Sequence, residues 1–368
     1  MVFSGYNERG IIAFCRFCKR YDIPFFIVAA HQNDKILLSS YRHNLLDIRR
    51  SPDLALEDFQ RYRSMLSTKL SKDEIVVLPS TEFLNRFLLQ EKKSLESLGY
   101  IIPICSKEIY EAVSDKYSFY CLCKEYGISV PQELEPHSNL LPPFVVKPKT
   151  YFAPGSMKVN PKPILVKHVE SKEFVRDLLI SREVFIQEFI EGRSIYLLFY
   201  FGKNGFYRVY SQENFIQQSN GRSIIAARSS SFHESQEIKP FVTLFQKLGF
   251  HGLVMVEVRY QEGKSYMIEA NPRIWGPSQL INDAGMDLFA LWTKDLGLIK
   301  DFSPQIYQPE IEYFWSGGLV EDTSSQKDIA FHNYSKERFL DEYAKWIRNE
   351  VYLREDTLGI FLEELRRK

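Results

Sequence analysis

The chain has 368 residues, 45% of them apolar, 14% aromatic and 26% charged, a globular composition at a length that calls for two or three domains. Lys plus Arg and Asp plus Glu number 47 each, so no global field argues for nucleic acid or an anionic membrane as partner. No apolar run approaches the roughly 18 residues of a membrane helix, and Met1-Val2-Phe3-Ser4-Gly5 lacks the basic and apolar regions of a signal peptide, so a cytoplasmic protein is expected.

The first hundred residues alternate in type. Residues 2–4 form a short apolar strand, 8–21 have helical periodicity, and 25–29 are a buried strand after Pro24. Residues 54–70 are helical with Ser51 or Asp53 as N-cap, 74–78 are another buried strand ended by Pro79, and a further helix starts at Thr81. Strands alternating with helices predict a doubly wound parallel sheet. The glycines here, Gly5 included, make no Gly-x-Gly-x-x-Gly loop, which argues against dinucleotide binding. Cys15 and Cys18 lie in an apolar helical pattern with no second pair or matching His, so they read as buried thiols rather than a zinc site. The odd count of five cysteines is no disulfide framework.

Residues 101–104 are a short strand and 106–126 are helical, ended by Gly127 as a C′ residue. Residues 141–148, 164–167 and 184–190 read as strands, 151–163 as a polar loop, and 171–180 as a helix with Ser171 as N-cap. Strands at 195–201 and 206–210 flank Gly202-Lys203-Asn204-Gly205, a hairpin signal. A meander runs to Ser231, 240–248 are helical, a second hairpin spans 253–270, and the last fifty residues are charged and helical. The shift from alternating α/β to hairpin-rich α+β marks a domain boundary.

The second hairpin carries the most chemistry. Glu257 and Glu269 each interrupt an apolar strand, and pairing symmetric about Gly263 sets them directly opposite, with Cβ atoms about 5 Å apart on one face. Facing like charges destabilise a sheet unless a cation sits between them. Asn271 shares the face of Glu269, and two carboxylates with an amide oxygen are hard ligands suited to Mg²⁺. Arg273 lies two residues further on, placed to meet a phosphate or carboxylate with its fork of donors. The bland reading is a solvated face, or pairing with Lys and Arg elsewhere. Upstream, no Gly-x-x-x-x-Gly-Lys-Ser/Thr occurs, which excludes a P-loop. Lys147 sits inside the apolar strand Phe144-Val145-Val146-Lys147-Pro148, where it must reach solvent or an anion. Gly155-Ser156 in the following loop offers backbone N–H groups to phosphate, and Lys116 belongs to the preceding helix.

In order, Asp115-Lys116, Val146-Lys147-Pro148, Gly155-Ser156, Gln187-Glu188-Phe189-Ile190-Glu191-Gly192, Glu257 and Glu269-Ala270-Asn271-Pro272-Arg273 resemble the ATP-grasp superfamily over residues 1–300, in particular its carboxylate–amine ligases and the carbamoyl-phosphate-synthase-like and biotin-carboxylase-like members. The resemblance implies an N-terminal doubly wound domain, 1–105, then a two-lobed ATP-grasp fold with a small lobe, 106–185, and a large lobe, 186–300, followed by a C-terminal helical extension, 301–368. It implies ATP with Mg²⁺ or Mn²⁺ as cofactors. Lys116, Lys147, Gly155 and Ser156 would meet the phosphates, and Gln187, Glu188, Phe189 and Ile190 the adenine. Ser194 stands in the ribose region. Glu257, Glu269 and Asn271 would hold the metal, with Arg273 and Lys147 at the reacting phosphoryl group. The implied reaction turns a small carboxylate into an acyl phosphate for attack by an amine or similar nucleophile, with a homodimer as the assembly to test. Two departures stand out: Gln187 replaces the family's usual Glu, and Ser194 replaces a carboxylate. Arg222 and Arg228, on the meander, are candidate ligands for the substrate carboxylate, or else surface arginines. A catalytically silent ATP-binding scaffold and an ATP-dependent phosphotransferase are the alternatives.

Overall fold

The computed structural model describes residues 1–67, 74–135, 140–153, 158–168 and 183–366. The expected helix at 171–180, the C-terminal end of that at 54–70, and the loop residues Gly155 and Ser156 lie outside these.

The N-terminal region is a parallel sheet, as the alternation predicts. Strands β1 (Val2–Phe3), β2 (Ile27–Ala29) and β3 (Leu45–Ile48) pair in parallel in the order β1-β2-β3, and β4 (Ile75–Val76) pairs in parallel with β5 (Tyr100–Ile101). Hydrogen bonds from the Met1 amino group to the Val76 carbonyl and from the Leu78 N–H to the Met1 carbonyl join the two sets. Both faces are covered. Phe3 and Val28 pack beneath α2 (Leu56–Ser67) and α3 (Glu82–Gln90), while their chain neighbours Val2, Ile27 and Ala29 pack with α1 (Glu8–Arg20). The period of two along each strand therefore feeds two cores, which is what a doubly wound sheet requires. Thr81 caps α3 by accepting the Leu84 N–H.

Residues 106–126 are not one helix. The chain forms α4 (Lys92–Ser97), α5 (Lys107–Ser114) and α6 (Lys116–Glu125), with Asp115 extended between the last two. The Asp115 carboxylate accepts the Arg86 guanidinium at 2.7 Å and the Tyr151 N–H at 2.9 Å, two remote bonds that outweigh local helix propensity. The break makes Lys116 the first residue of α6, and α5 and α6 both lie against the later strand β14 (Lys264–Asn271).

A four-stranded antiparallel sheet follows in the order β6-β9-β7-β8, from β6 (Glu133–Leu134), β7 (Phe144–Pro148), β8 (Ile164–Val166) and β9 (Val184–Glu188). The largest sheet runs β14-β13-β10-β11-β12-β15, built from β10 (Arg193–Phe201), β11 (Tyr207–Gln217), β12 (Ile224–Ser230), β13 (Gly252–Gln261), β14 and β15 (Glu312–Phe314), with β16 (Ala330–Phe331) also paired to β11. One face of this sheet (Ile195, Leu197, Phe199, Val254, Val256) packs with α7 (Lys239–Lys247). The other (Leu198, Tyr200, Leu253, Met255) packs with α1, α8 (Gln279–Asp283) and α9 (Leu288–Asp295).

The last segment is helical only in part. It holds α10 (Ser316–Ser324), α11 (Lys336–Arg348) and α12 (Leu358–Arg366), but β15 and β16 add strands to the large sheet. Strands of two or three residues are too short to show a period. Among the described residues no helix is long and apolar enough to cross a membrane.

Candidate active site

The site begins where the α1-covered face of the large sheet turns from apolar to polar. Around the turn Glu262-Gly263, whose φ angles are 51° and 81°, the ladder pairs Gln261 with Lys264, Tyr260 with Ser265, Arg259 with Tyr266 and Val258 with Met267. Continued regularly, it would set Glu257 opposite Ile268. An irregularity between Glu257 and Val258 instead gives β14 one extra residue, Ile268, and restores the pair Glu257 with Glu269. The expected pair therefore forms, though through a two-residue turn plus a bulge rather than by symmetry about Gly263. The bulged residue has a partner of its own: the Lys147 ammonium donates to the Ile268 carbonyl at 3.0 Å.

Electrostatics concentrate on this pair. Glu257 is 5% exposed, and burial pushes its carboxyl up, with the charge of Glu269 adding to the rise while Arg259 opposes it at 3.1 Å. Burial also works to raise Glu269, but the Lys116 ammonium ion-paired to it and the Asn271 amide, 2.9 Å away, hold it down at about 2. Lys147 is lowered to about 7 by burial and then by Lys116. Arg273 donates to the Asn271 amide oxygen at 3.0 Å and to the Ile274 carbonyl at 3.0 Å, while its buried Nε has no partner among the described residues.

These residues fit a divalent cation shared with phosphate. Among the described residues no three His, Cys, Asp or Glu side chains gather into a cage that would hold a metal by protein ligands alone. Two carboxylates and an amide suit Mg²⁺, which takes its remaining ligands from phosphate oxygens and water. The ammonium of Lys116 neutralises Glu269 and the NH₂ of Asn271 donates to it, and both must turn for Glu269 and the Asn271 oxygen to face a metal.

The other expected residues fall nearby. Gln187 is 2% exposed and its carbonyl Oε1 has no partner among the described residues, an acceptor left open on β9. Glu188 is tied to Gln132, its N–H to the Gln132 carbonyl at 3.0 Å and its carboxylate to the Gln132 N–H at 2.8 Å. Phe189 and Ile190 carry the chain from β9 towards β10. Ser194 is fully buried, donates to Glu257 at 3.4 Å and accepts from Asn214 at 3.0 Å.

Arg222 and Arg228 are both engaged with acidic side chains of the C-terminal segment. Arg228 pairs across β11 with Glu213, on the face away from Glu257, and ion-pairs with Glu310 and Glu312. Arg222 is ion-paired with Glu321 and with the buried Asp322. Both arginines fasten the C-terminal segment to the sheet, because its acidic side chains neutralise them.

Sequence reasoning missed part of the polar face. Tyr196 lies directly opposite both Glu257 and Gln212, and Ser194 opposite both Arg259 and Asn214, which puts all six on one face. Arg259 was readable, since a strand residue two past Glu257 shares its face. His332, next to β16, gave no signal. Its Nδ1 accepts from Arg259 at 2.8 Å and its Nε2 bonds Gln217 at 2.9 Å, and burial, with Arg259 adding, lowers it to about 3. A cavity of about 610 Å³ opens at the far end of β10, lined by Tyr200, Lys203, His251 and Trp292 among others, away from these carboxylates.

Comparison with known proteins gives the class. Residues 113–277 match the ATP-grasp domain family. The fold resembles an ADP complex of N5-carboxyaminoimidazole ribonucleotide synthetase at 15% identity and a TM-score of 0.61, over 88% of this chain and 83% of that one. It resembles the biotin carboxylase domain of Hydrogenobacter thermophilus 2-oxoglutarate carboxylase, solved with MgADP and bicarbonate, at 14% identity and 0.56, over 80% and 69%. It also resembles an L-amino acid ligase from Bacillus licheniformis at 15% identity and 0.53, over 80% and 73%. No curated protein sequence matches the chain. The chain thus contains an ATP-grasp domain at residues 113–277. The Glu257–Glu269 hairpin and Lys116 and Lys147 all belong to that domain.

Proposed function

We propose that this protein is an ATP-dependent ligase that activates a small carboxylate as an acyl phosphate and joins it to an amine. The reading rests on one observation: Glu257 and Glu269 are held opposite each other by a bulge, and Lys116, Lys147, Asn271 and Arg273 converge on them. Glu257, Glu269 and Asn271 would hold Mg²⁺, which neutralises phosphate charge. Lys116 and Lys147 then serve the phosphates, and the open Gln187 acceptor takes the adenine amino group, with the Glu188-to-Ile190 backbone along the ring. Ser194 lies at the sugar.

A carboxylate oxygen attacks the γ-phosphorus, the bond to the bridging oxygen breaks and ADP leaves. The amine nitrogen then attacks the acyl carbon, phosphate departs with the carbon–oxygen bonding pair, and the amine gives up a proton. The open Nε of Arg273 faces the phosphoryl group during transfer. Positioning and charge neutralisation carry this chemistry. The divisions 1–105, 106–185, 186–300 and 301–368 are the working domains. The ligase is assigned to the cytoplasm, in keeping with its five free thiols, and light scattering decides between monomer and homodimer.

The test is ADP release across a panel of carboxylates and amines. Release is expected only when both partners are present, and Glu269→Gln should lower it about a hundredfold or more. Full activity in that variant removes the metal assignment, and ATP binding without turnover on any pair makes the protein a silent ATP binder.

A further inference from the structure

We propose that Arg259 is a nucleotide-binding residue of this site, held in place by His332 of the C-terminal segment, and that it exchanges Glu257 for the α-phosphate when a metal ion takes the carboxylate. The inference rests on the ligase reading for the presence of a nucleotide, and on the following geometry for the rest.

Two guanidiniums flank the carboxylate pair from opposite ends. Asn271 pairs with Met255 and leads to Arg273 on one side, while Arg259 stands on the other, two residues or about 7 Å along β13 from Glu257. The cross-strand neighbour of Arg259 is Ser194, which follows closely on the strand carrying Gln187. With the purine at Gln187 and the transferred phosphoryl group at Arg273, the polyphosphate crosses Glu257 and Glu269 in between. Arg259 therefore stands at the sugar and first phosphate. The charge and forked donors of a guanidinium favour an anionic phosphate over the neutral sugar hydroxyls, so its partner there is the phosphate.

Its surroundings are built. Arg259 is 9% exposed and bonds Glu257 at 3.1 Å, His332 at 2.8 Å and Gln217 at 3.5 Å. Gln217 also takes the other ring nitrogen of His332 at 2.9 Å, so Nε2 carries the proton and Nδ1 is a pure acceptor. A neutral acceptor orients the guanidinium without cancelling its charge. Ser194 supplies no carboxylate in the sugar region, so among the described residues the positive charge has no second ion-paired anion to hold it once Glu257 turns to a metal. The segment around 301–368 thereby enters the nucleotide site through one side chain.

The full-length protein and its variants Arg259→Gln, His332→Leu and His332→Asn are titrated with MgADP by calorimetry, and with Mn²⁺ alone by electron paramagnetic resonance. Arg259→Gln should weaken MgADP binding about tenfold or more. The same change should tighten Mn²⁺ binding to the nucleotide-free protein, because a competing cation has left Glu257. His332→Leu should weaken MgADP binding but leave Mn²⁺ affinity near wild type, because Arg259 stays beside Glu257, and His332→Asn, whose amide oxygen can replace the Nδ1 acceptor, should keep both near wild type. A merely structural defect would not give opposite signs for the two ligands. Unchanged MgADP affinity in both Arg259→Gln and His332→Leu, with a wild type that binds it, overturns this inference and leaves the ligase reading standing. Mn²⁺ binding that weakens or stays equal in Arg259→Gln overturns the exchange. A wild type that binds no MgADP overturns both.

Discussion

Lys147 shows how one side chain can serve binding at the expense of stability. The residue is 5% exposed, and its ammonium has the Ile268 carbonyl as a partner and is pushed down to about 7 by burial and by Lys116. A buried cation held that far below its ordinary range disfavours the folded state until an anion arrives. Lys147→Met keeps the volume and removes the charge. The expected outcome is a melting temperature equal to or above wild type, with MgADP affinity lost by calorimetry; a variant that melts lower and still binds would contradict the account. At this scale the sequence was readable wherever a charge broke an apolar strand, as at Lys147, Glu257 and Glu269. It was not readable at His332, whose partners Arg259 and Gln217 are 73 and 115 positions away and leave no local pattern.

At the level of elements, the hairpins were legible because a glycine-bearing turn sits between alternating apolar runs. Glu257 and Glu269 were paired correctly from that pattern, although the bulge at Ile268 was not foreseen, since nothing in an isoleucine marks it as the extra residue. The break at Asp115 was also hidden, because Arg86 and Tyr151 cause it from elsewhere in the chain. The passage from β9 to β10 turns on Gly192, at φ 116°, where a Cβ would stand 2.5 Å from the Tyr260 carbonyl oxygen. Only glycine fits that conformation and that contact. Gly192→Ala should cost roughly 1–3 kcal/mol in urea unfolding. It should also weaken MgADP binding, because the shift moves Gln187 and Ser194 relative to each other; a variant of native stability would show that the backbone there has room to relax.

Across the whole molecule, the C-terminal segment is bound through buried charge. Glu350 is 1% exposed, accepts the Tyr352 and Leu353 N–H groups at 2.6 Å each and faces Ser316 of α10. Burial, with Glu364 adding, raises its carboxyl to about 7. Its unfolded value is about 4.3, so between about 4.3 and 7 the folded chain holds the proton more tightly than the unfolded one. The contribution to stability is full below that window and falls as pH rises through it. The loss is of the order of 3 kcal/mol. Glu350→Gln cannot titrate, so the stability difference between pH 5 and pH 8 in urea melts should shrink against wild type. An identical pH dependence in the two proteins would remove Glu350 as its source. The parallel N-terminal sheet and the change to hairpins were visible as pattern in the sequence, whereas β15 and β16 were not, since two or three residues cannot show a period.

The pairing of β16 with β11 also sets an order of events during synthesis. Translation runs from the N-terminal side, so Glu257, Arg259 and Glu269 leave the ribosome before His332. Until His332 arrives, Arg259 has a carboxylate beside it but no imidazole to aim it. In the proposed site, the cleft is thus completed by a segment translated after its carboxylates, and a chain released before residue 332 would carry Glu257 and Glu269 with the guanidinium beside them unaimed.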